Sequence, residues 1–187
     1  QARRSLQHAE RVGAGMNHEA ESRVVVGLGS NLGDSCSIIH EAFERLRTFA
    51  DGRFAHSSLW RTTPVDCPPG SPQFVNAAVA FKPVARETPE SLLEKLQALE
   101  REFGRRAKVT LNEPRPLDLD LICFGNEVRN GDGLNLPHPR AHQRRFVLAP
   151  MAELVPDLMP RGWAETVAAV LANLESDEVV ERFGIGG

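Results

Sequence analysis

The chain has 187 residues, 41% hydrophobic and 25% charged, the balance of one folded domain with a core of its own. Its 22 basic and 25 acidic residues leave a net charge of -3, so composition alone supplies no polycationic surface for nucleic acid or an anionic membrane. No apolar run approaches the ~18 residues of a bilayer span, and Cys36, Cys67 and Cys123 are too scattered for a disulfide framework or a zinc knuckle, which fits a reducing cytoplasm.

Residues 1–22 are polar and nearly free of large apolar side chains. They are expected to form a disordered leader, with Met16 a candidate start and 23–187 a single domain. The arginines of the leader suit a transit peptide, but its glutamates and missing amphipathic pattern argue against one. Arg23 to Gly29 reads as a strand ending in glycine, followed by a Ser30-Asn31-Leu32-Gly33-Asp34 turn. Ile38, Ile39, Ala42, Phe43 and Leu46 then recur at helical spacing. A second strand is expected over Phe54 to Thr62, then a Pro- and Gly-rich loop, then a third strand, FVNAAVAF, from Phe74. Glu87 to Phe103 is an amphipathic helix with Leu92, Leu93, Leu96, Leu99 and Phe103 on one face. The polar, basic loop GRRAKVTLNEPR leads into a strand, PLDLDLICFG, and NEVRNGDGLNLPHP reads as a hairpin connection. Phe146 to Leu154 and Trp163 to Leu174 are expected as helices. The order β-α-β-β-α-β predicts an α+β, ferredoxin-like core: a mainly antiparallel sheet with helices on one face, plus additional C-terminal helices.

The strand PLDLDLICFG holds two carboxylates among apolar residues. Alternation sends Leu117, Leu119 and Leu121 toward the helices and Asp118, Asp120 and Ile122 to the other face. The two carboxylates then stand about 6–7 Å apart, and at an effective dielectric near 20 they repel by roughly 2–3 kcal/mol. Such a pair needs a cation. Arginine can serve, and two carboxylates on one face also suit Mg²⁺, which takes one or two carboxylates together with phosphate oxygens. A solvated sheet face with two exposed aspartates is the plainer reading. The arginines around the pair favour the other: Arg105, Arg106, Lys108 and Arg115 precede it, and Arg140, Arg144 and Arg145 follow. Carboxylates amid so many bases suggest a site where metal and guanidinium together hold a polyphosphate.

The chain has no GxxxxGK[ST], so it is not an ordinary P-loop protein. GLGSNLGD, with Gly27, Gly29 and Gly33, is one residue too long for GxGxxG and reads equally well as a tight strand-to-helix turn. Taken together, GLGSNLGD, FVNAAV, PRPLDLDLICFG and LPHPRAHQRRFVLAPMAEL resemble the 6-hydroxymethyl-7,8-dihydropterin pyrophosphokinase family, from about residue 24 to about residue 160. The resemblance implies a ferredoxin-like fold and transfer of pyrophosphate from ATP to the pterin hydroxymethyl group in folate biosynthesis, with AMP released. By position, it implies that Asp118 and Asp120 hold two Mg²⁺ ions, and that Arg105, Arg115 and Arg144 bind phosphate. Glu100 and His138 fall at nucleotide-binding positions, Leu121 where backbone meets adenine, and Arg106 and Lys108 beside the phosphates. Phe74 and Phe146 resemble the two rings that sandwich the pterin. Asn76, with the backbone around Thr62, Pro64 and Val65, resembles the set that reads its amide edge, and Asp118 also adjoins the pterin. The partners implied are ATP and the pterin alone, with no nucleic acid and no membrane, on a cytoplasmic monomer.

Each assignment has a plainer counterpart. Phe74 and Phe146 suit core packing, and a buried Asn76 needs only hydrogen-bond partners. His138 and His142 stand four apart, but Pro139 interrupts a shared helix and no third ligand is near, so zinc is not expected. The loop departs from the family pattern, with Ala107 at the second basic position and Asn112-Glu113 where an aromatic-small pair is usual. That leaves a catalytically weak pterin- or nucleotide-binding relative as the alternative. An RNA-binding ferredoxin-like domain lacks support, since the chain has no tyrosine and no aromatic-rich strand signature.

Overall fold

The structure, a computed structural model, describes residues 23–62, 70, 72–104 and 114–183. The expected leader over 1–22 lies outside them. The strands are β1 (Val24–Ser30), β2 (Ala50–His56), β3 (Trp60–Thr62), β4 (Phe74–Pro83), β5 (Asp118–Phe124), β6 (Arg129–Asn130), β7 (Asn135–Leu136) and β8 (Val180–Arg182). The helices are α1 (Ser35–Arg47), α2 (Pro89–Glu102), α3 (Arg145–Leu154) and α4 (Val167–Asn173), with a 3₁₀ turn at Ala141–Gln143. The main sheet runs β5-β1-β4-β3-β8, with β2 also on β4, and every pairing is antiparallel. β6 and β7 form the expected hairpin. This is the α+β, ferredoxin-like core anticipated from the element order, and the C-terminal helices cover the opposite face of its sheet.

Local chemistry sets the element ends. α1 begins where the Asp34 carboxylate accepts the Ser37 N–H, and α2 where Thr88 and Ser91 form a reciprocal capping box around Pro89, the first helical residue. The single strand expected over Phe54 to Thr62 is broken in two. Buried Ser57 exchanges its N–H and its hydroxyl with the Ala78 backbone, so a side chain takes a ladder position and β2 and β3 separate. α4 starts at Val167 and not at Trp163, because the Thr166 hydroxyl caps it by accepting the Ala169 N–H. β8 was not expected. Its short, polar Val-Glu-Arg sequence carries no alternation, and only pairing with β3 makes it a strand.

Period-two alternation divides the strands between two cores. Val24, Val26, Leu28, Val79, Phe81, Leu119 and Leu121 pack against Ile39, Phe43 and Leu46 of α1 and Leu92, Leu96 and Leu99 of α2. Val25, Ala78, Ala80, Ile122 and Cys123 face Val147, Leu148 and Met151 of α3 and Val167 of α4. The register shifts between β1 and β5, with Val26 opposite Leu121 and Val25 opposite Cys123. Ile122 is the extra residue of this bulge, so it and Cys123 both join the second core. The second core covers only part of its face. Toward the C-terminal end of β1 and the N-terminal ends of β4 and β5, the same face turns polar.

Candidate active site

Four strands put one residue each into a single row across this polar region. Trp60 on β3 lies opposite Asn76 on β4, Asn76 opposite Gly29 on β1, and Gly29 opposite Asp118 on β5. At the centre of the row there is no side chain. A Cβ on Gly29 would stand 3.3 Å from Asn76 Oδ1, 3.8 Å from Phe74 Cδ1 and 3.9 Å from Asp118 Cβ. Gly29 is therefore the floor between three positions singled out in the sequence. Gly27 and Gly29 belong to the strand, as the sequence indicated, and β1 runs one residue further, to Ser30. Gly33 is in the turn, with a φ of +79° that glycine tolerates.

On one side of Gly29, the amide of buried Asn76 donates to the hydroxyl of buried Thr62 at 2.8 Å. That bond leaves the amide carbonyl toward Gly29, so a polar pair lines an otherwise apolar sheet. Phe74 is half-buried at the start of β4, opposite Thr62. Phe146 is half-buried in the first turn of α3, packed on the second core. One ring thus sits on the sheet and the other on the helix that covers this face.

Asp118 and Asp120 stand on the other side of Gly29, on the polar face as alternation required. Leu117, Leu119 and Leu121 are buried behind them. Arg115 Nη2 lies 3.3 Å from Asp118 Oδ2, with the two side chains only 14% and 21% exposed, so the pair is shielded from water. Asn31, 2% exposed, holds the chain there: its Oδ1 accepts the Arg115 N–H at 2.9 Å and its own N–H donates to the Arg115 carbonyl at 3.2 Å. The residue that mattered in GSNLGD was this asparagine, and only the tertiary contact reveals it. Arg115 Nε and Asn31 Nδ2 are buried without a partner.

The free edge of β5 carries the expected nucleotide positions. Buried Glu100 accepts the Leu119 N–H at 2.7 Å, which points that amide out of the sheet. Alternation gives the Leu121 backbone the same outward edge two residues on. The His138 N–H donates to the Ile122 carbonyl at 2.8 Å, laying 136–140 along this edge. Burial, reinforced by Arg144 and Arg140, pushes the His138 imidazole down to about 4, so it is neutral near pH 7. Its Nδ1 accepts the Arg140 N–H at 3.2 Å, which puts the ring proton on Nε2 as an outward donor. The Arg144 guanidinium also lies below its ordinary value, through burial and then Arg140, while Asp120, Glu178 and Asp118 oppose the shift. Arg144 Cζ sits 5.5 Å from the Phe146 ring centroid, which brings these two expected site positions together. His142 packs edge-on against Trp163 and has surroundings of its own.

The structure therefore brings together Arg115, Asp118, Asp120, His138 and Arg144 at one end of the region and Thr62, Phe74 and Asn76 at the other. Glu100 and Leu121 lie along the strand edge and Phe146 on the covering helix. Arg105, Arg106, Lys108, Pro64 and Val65 lie outside the described residues. A separate cleft of about 590 Å³ opens at the opposite end of the sheet, lined by Lys82, Arg86, Glu87, Phe124 and Arg161 among others, and shares none of these residues. Among the described residues no cluster of three or more His, Cys, Asp or Glu could cage a metal.

Comparison with known proteins agrees with the geometry. The family model for 7,8-dihydro-6-hydroxymethylpterin-pyrophosphokinase (HPPK) matches residues 25–156. The 2-amino-4-hydroxy-6-hydroxymethyldihydropteridine pyrophosphokinase of Pseudomonas aeruginosa is 38% identical over 142 residues, covering 75% of this chain and 85% of that one. That of Synechocystis is 34% identical over 155 residues, covering 83% and 77%. A folate synthesis bifunctional protein of Arabidopsis thaliana is 37% identical over 71% of this chain, but the match spans only 27% of that longer protein. The crystal structure of Plasmodium falciparum HPPK-DHPS wild type with pteroate superposes with a TM-score of 0.64 over 80% of this chain and 44% of that one, at 12% identity, a likeness of fold. The matched segment, 25–156, takes in most of the chain, including Gly29, Asn76, Asp118, Asp120 and Phe146, and the chain belongs to the 7,8-dihydro-6-hydroxymethylpterin-pyrophosphokinase family.

Proposed function

We propose that this chain transfers pyrophosphate from ATP to the hydroxymethyl group of 6-hydroxymethyl-7,8-dihydropterin and releases AMP, a step of folate synthesis. The observation that carries the reading is the row through Gly29. An amide, a side-chain-free floor and a carboxylate lie in register, with one aromatic ring on the sheet and another on the covering helix. A flat heterocycle with hydrogen-bonding edges needs such a slot, and its hydroxymethyl arm would then point toward Asp118. Asn76 and Thr62 read the heterocycle, while Phe74 and Phe146 bound its faces.

The hydroxyl oxygen attacks the β-phosphorus, the bond from that phosphorus to the α,β-bridging oxygen breaks, AMP leaves and the hydroxyl proton passes to solvent. Asp118 and Asp120 are the residues that would hold Mg²⁺, an arrangement supported by two carboxylates on one face. Bound there with ATP, the ions would neutralise phosphate charge and acidify the attacking hydroxyl. Arg115 and Arg144 bind phosphate oxygens and stabilise the charge that grows on departing AMP. Neutral His138 donates from Nε2 without adding a competing charge, and Glu100 holds the β5 edge where Leu121 meets the adenine. By the family pattern Arg105 also binds phosphate, and Arg106 and Lys108 flank the second basic position, which Ala107 occupies here. Among the described residues no helix is long and apolar enough to cross a membrane, and the proposed working form is a cytoplasmic monomer acting on two small molecules.

The unusual Ala107 and Asn112-Glu113 favour a second reading, a relative that binds pterin and nucleotide but turns over weakly. One assay separates the two. The protein is mixed with ATP, Mg²⁺ and the hydroxymethyl dihydropterin, and AMP and ADP are quantified. AMP that depends on the pterin supports the transferase; bound pterin with no AMP supports the binder; ADP contradicts both.

A further inference from the structure

We propose that Glu178, outside the matched segment 25–156, is a positioning residue that fixes the Arg144 and Phe146 wall of the site. The proposal rests on the reading of those two residues given above. α3 begins at Arg145 with Arg144 as its N-cap, and no side chain near in sequence caps it. The cap comes from the C-terminal tail. Glu178 Oε2 accepts the Arg145 N–H at 2.7 Å and the Phe146 N–H at 3.4 Å, satisfying two donors that a helix start leaves open. The same carboxylate favours the charged Arg144 guanidinium. One group therefore reaches the cap residue, the first helical residue and the aromatic residue at once.

The tail is anchored on both sides of Glu178. Before it, Arg145 Nη2 donates to the Leu174 carbonyl at 2.7 Å, and the Ser176 hydroxyl accepts the Glu178 N–H at 3.1 Å. After it, β8 pairs with β3, setting Val180 opposite Thr62 and Arg182 opposite Trp60. Arg182 also bonds Glu153 of α3 at 2.9 Å, and Glu153 bonds the Trp60 indole at 2.6 Å. The tail thus ties the sheet wall, at Thr62, to the helix wall, at Phe146. A carboxylate fits the helix end for a plain reason: it meets the positive pole of the helix dipole and the charge of Arg144 together.

The test uses the full chain with Glu178→Ala, Glu178→Gln and, as a stability control on α4, Val167→Ala. Glu178→Ala should lower kcat/KM for AMP release about tenfold and speed amide exchange over 144–148, since the two N–H groups lose their acceptor. Glu178→Gln keeps an acceptor oxygen and should recover to within about threefold of wild type. Val167→Ala should lower the melting temperature yet leave kcat/KM within about twofold below the transition. The proposal is overturned if Glu178→Ala keeps wild-type kcat/KM, or if Val167→Ala reproduces its loss. If wild type releases no pterin-dependent AMP, the functional reading falls by itself. Exchange then decides Glu178: local acceleration over 144–148 in Glu178→Ala upholds the anchor, and an unchanged pattern overturns it.

Discussion

The two faces of the sheet obey different rules. On the side of α1 and α2, the inward residues of β1, β4 and β5 are apolar up to buried Ser30, which ends β1 and bonds Ser35 at the start of α1: Val24, Val26 and Leu28, Val75, Ala77, Val79 and Phe81, Leu119 and Leu121. The reverse face changes character along its length. Val25, Ala78, Ala80 and Ile122 form a second core at one end, and Gly29, Asn76, Asp118 and Asp120 form the candidate site at the other. Because successive strand residues point to opposite faces, one set of strands carries the first core on alternate residues and the proposed site on those between. The first face can hold the site rigid while the second is free to be polar.

Substitutions on the two faces should therefore separate activity from stability. The largest effect is expected on the polar face. Asp118→Ala and Asp120→Ala should each lower kcat by about a thousandfold or more, with the circular dichroism spectrum of the wild type. A near-normal rate in either variant would break the division. On the apolar face, Leu96 of α2 is fully buried, and Leu96→Ala should cost about 2–5 kcal/mol in urea unfolding while the folded protein keeps its kcat/KM. A loss of specific activity there would show that the faces are not independent.

Smaller changes sharpen the same contrast. Gly29→Ala puts a methyl group 3.3 Å from Asn76 Oδ1 and should raise the KM for the pterin about tenfold, more than it raises that for ATP. Equal effects on both substrates would move the pterin away from Gly29. The smallest effect concerns pH. The folded His138 pKa, about 4, lies below the ordinary imidazole value of 6.5, so the unfolded chain binds the proton first as pH falls. Its contribution is full above pH 6.5 and is lost as pH drops toward 4. His138→Gln should flatten the fall in urea midpoint across that range, and an unchanged slope would place the imidazole in water.

Much of this was legible in the residues. Leu117 to Leu121 alternate strictly, so the faces of the aspartates followed from strand geometry alone. The helical spacing of Leu92, Leu96 and Leu99 located α2. What could not be read depends on contacts distant in sequence. Ser57 breaks the expected second strand because Ala78 of β4 lies beside it, and β8 has no pattern of its own until β3 pairs with it. Asn31 looked like a turn residue, but its amide reaches the Arg115 backbone 84 residues on. Gly29 looked like a strand end, and becomes the floor of the site only when Asn76, Phe74 and Asp118 converge on it. Glu178 carried no signal at all, since a cap supplied by a distant carboxylate has no local spacing to betray it.

The central claim is that the polar end of the second face is where magnesium and nucleotide meet the protein. It is tested most directly by titrating ¹⁵N-labelled protein with α,β-methylene-ATP, with and without Mg²⁺, and following backbone amides. The account predicts Mg²⁺-dependent shifts at residues 118–121, 138 and 144–146, absent in an Asp118→Asn, Asp120→Asn double variant. Shifts that ignore Mg²⁺, or that cluster instead around Lys82, Arg86 and Arg161 at the far end of the sheet, would contradict it.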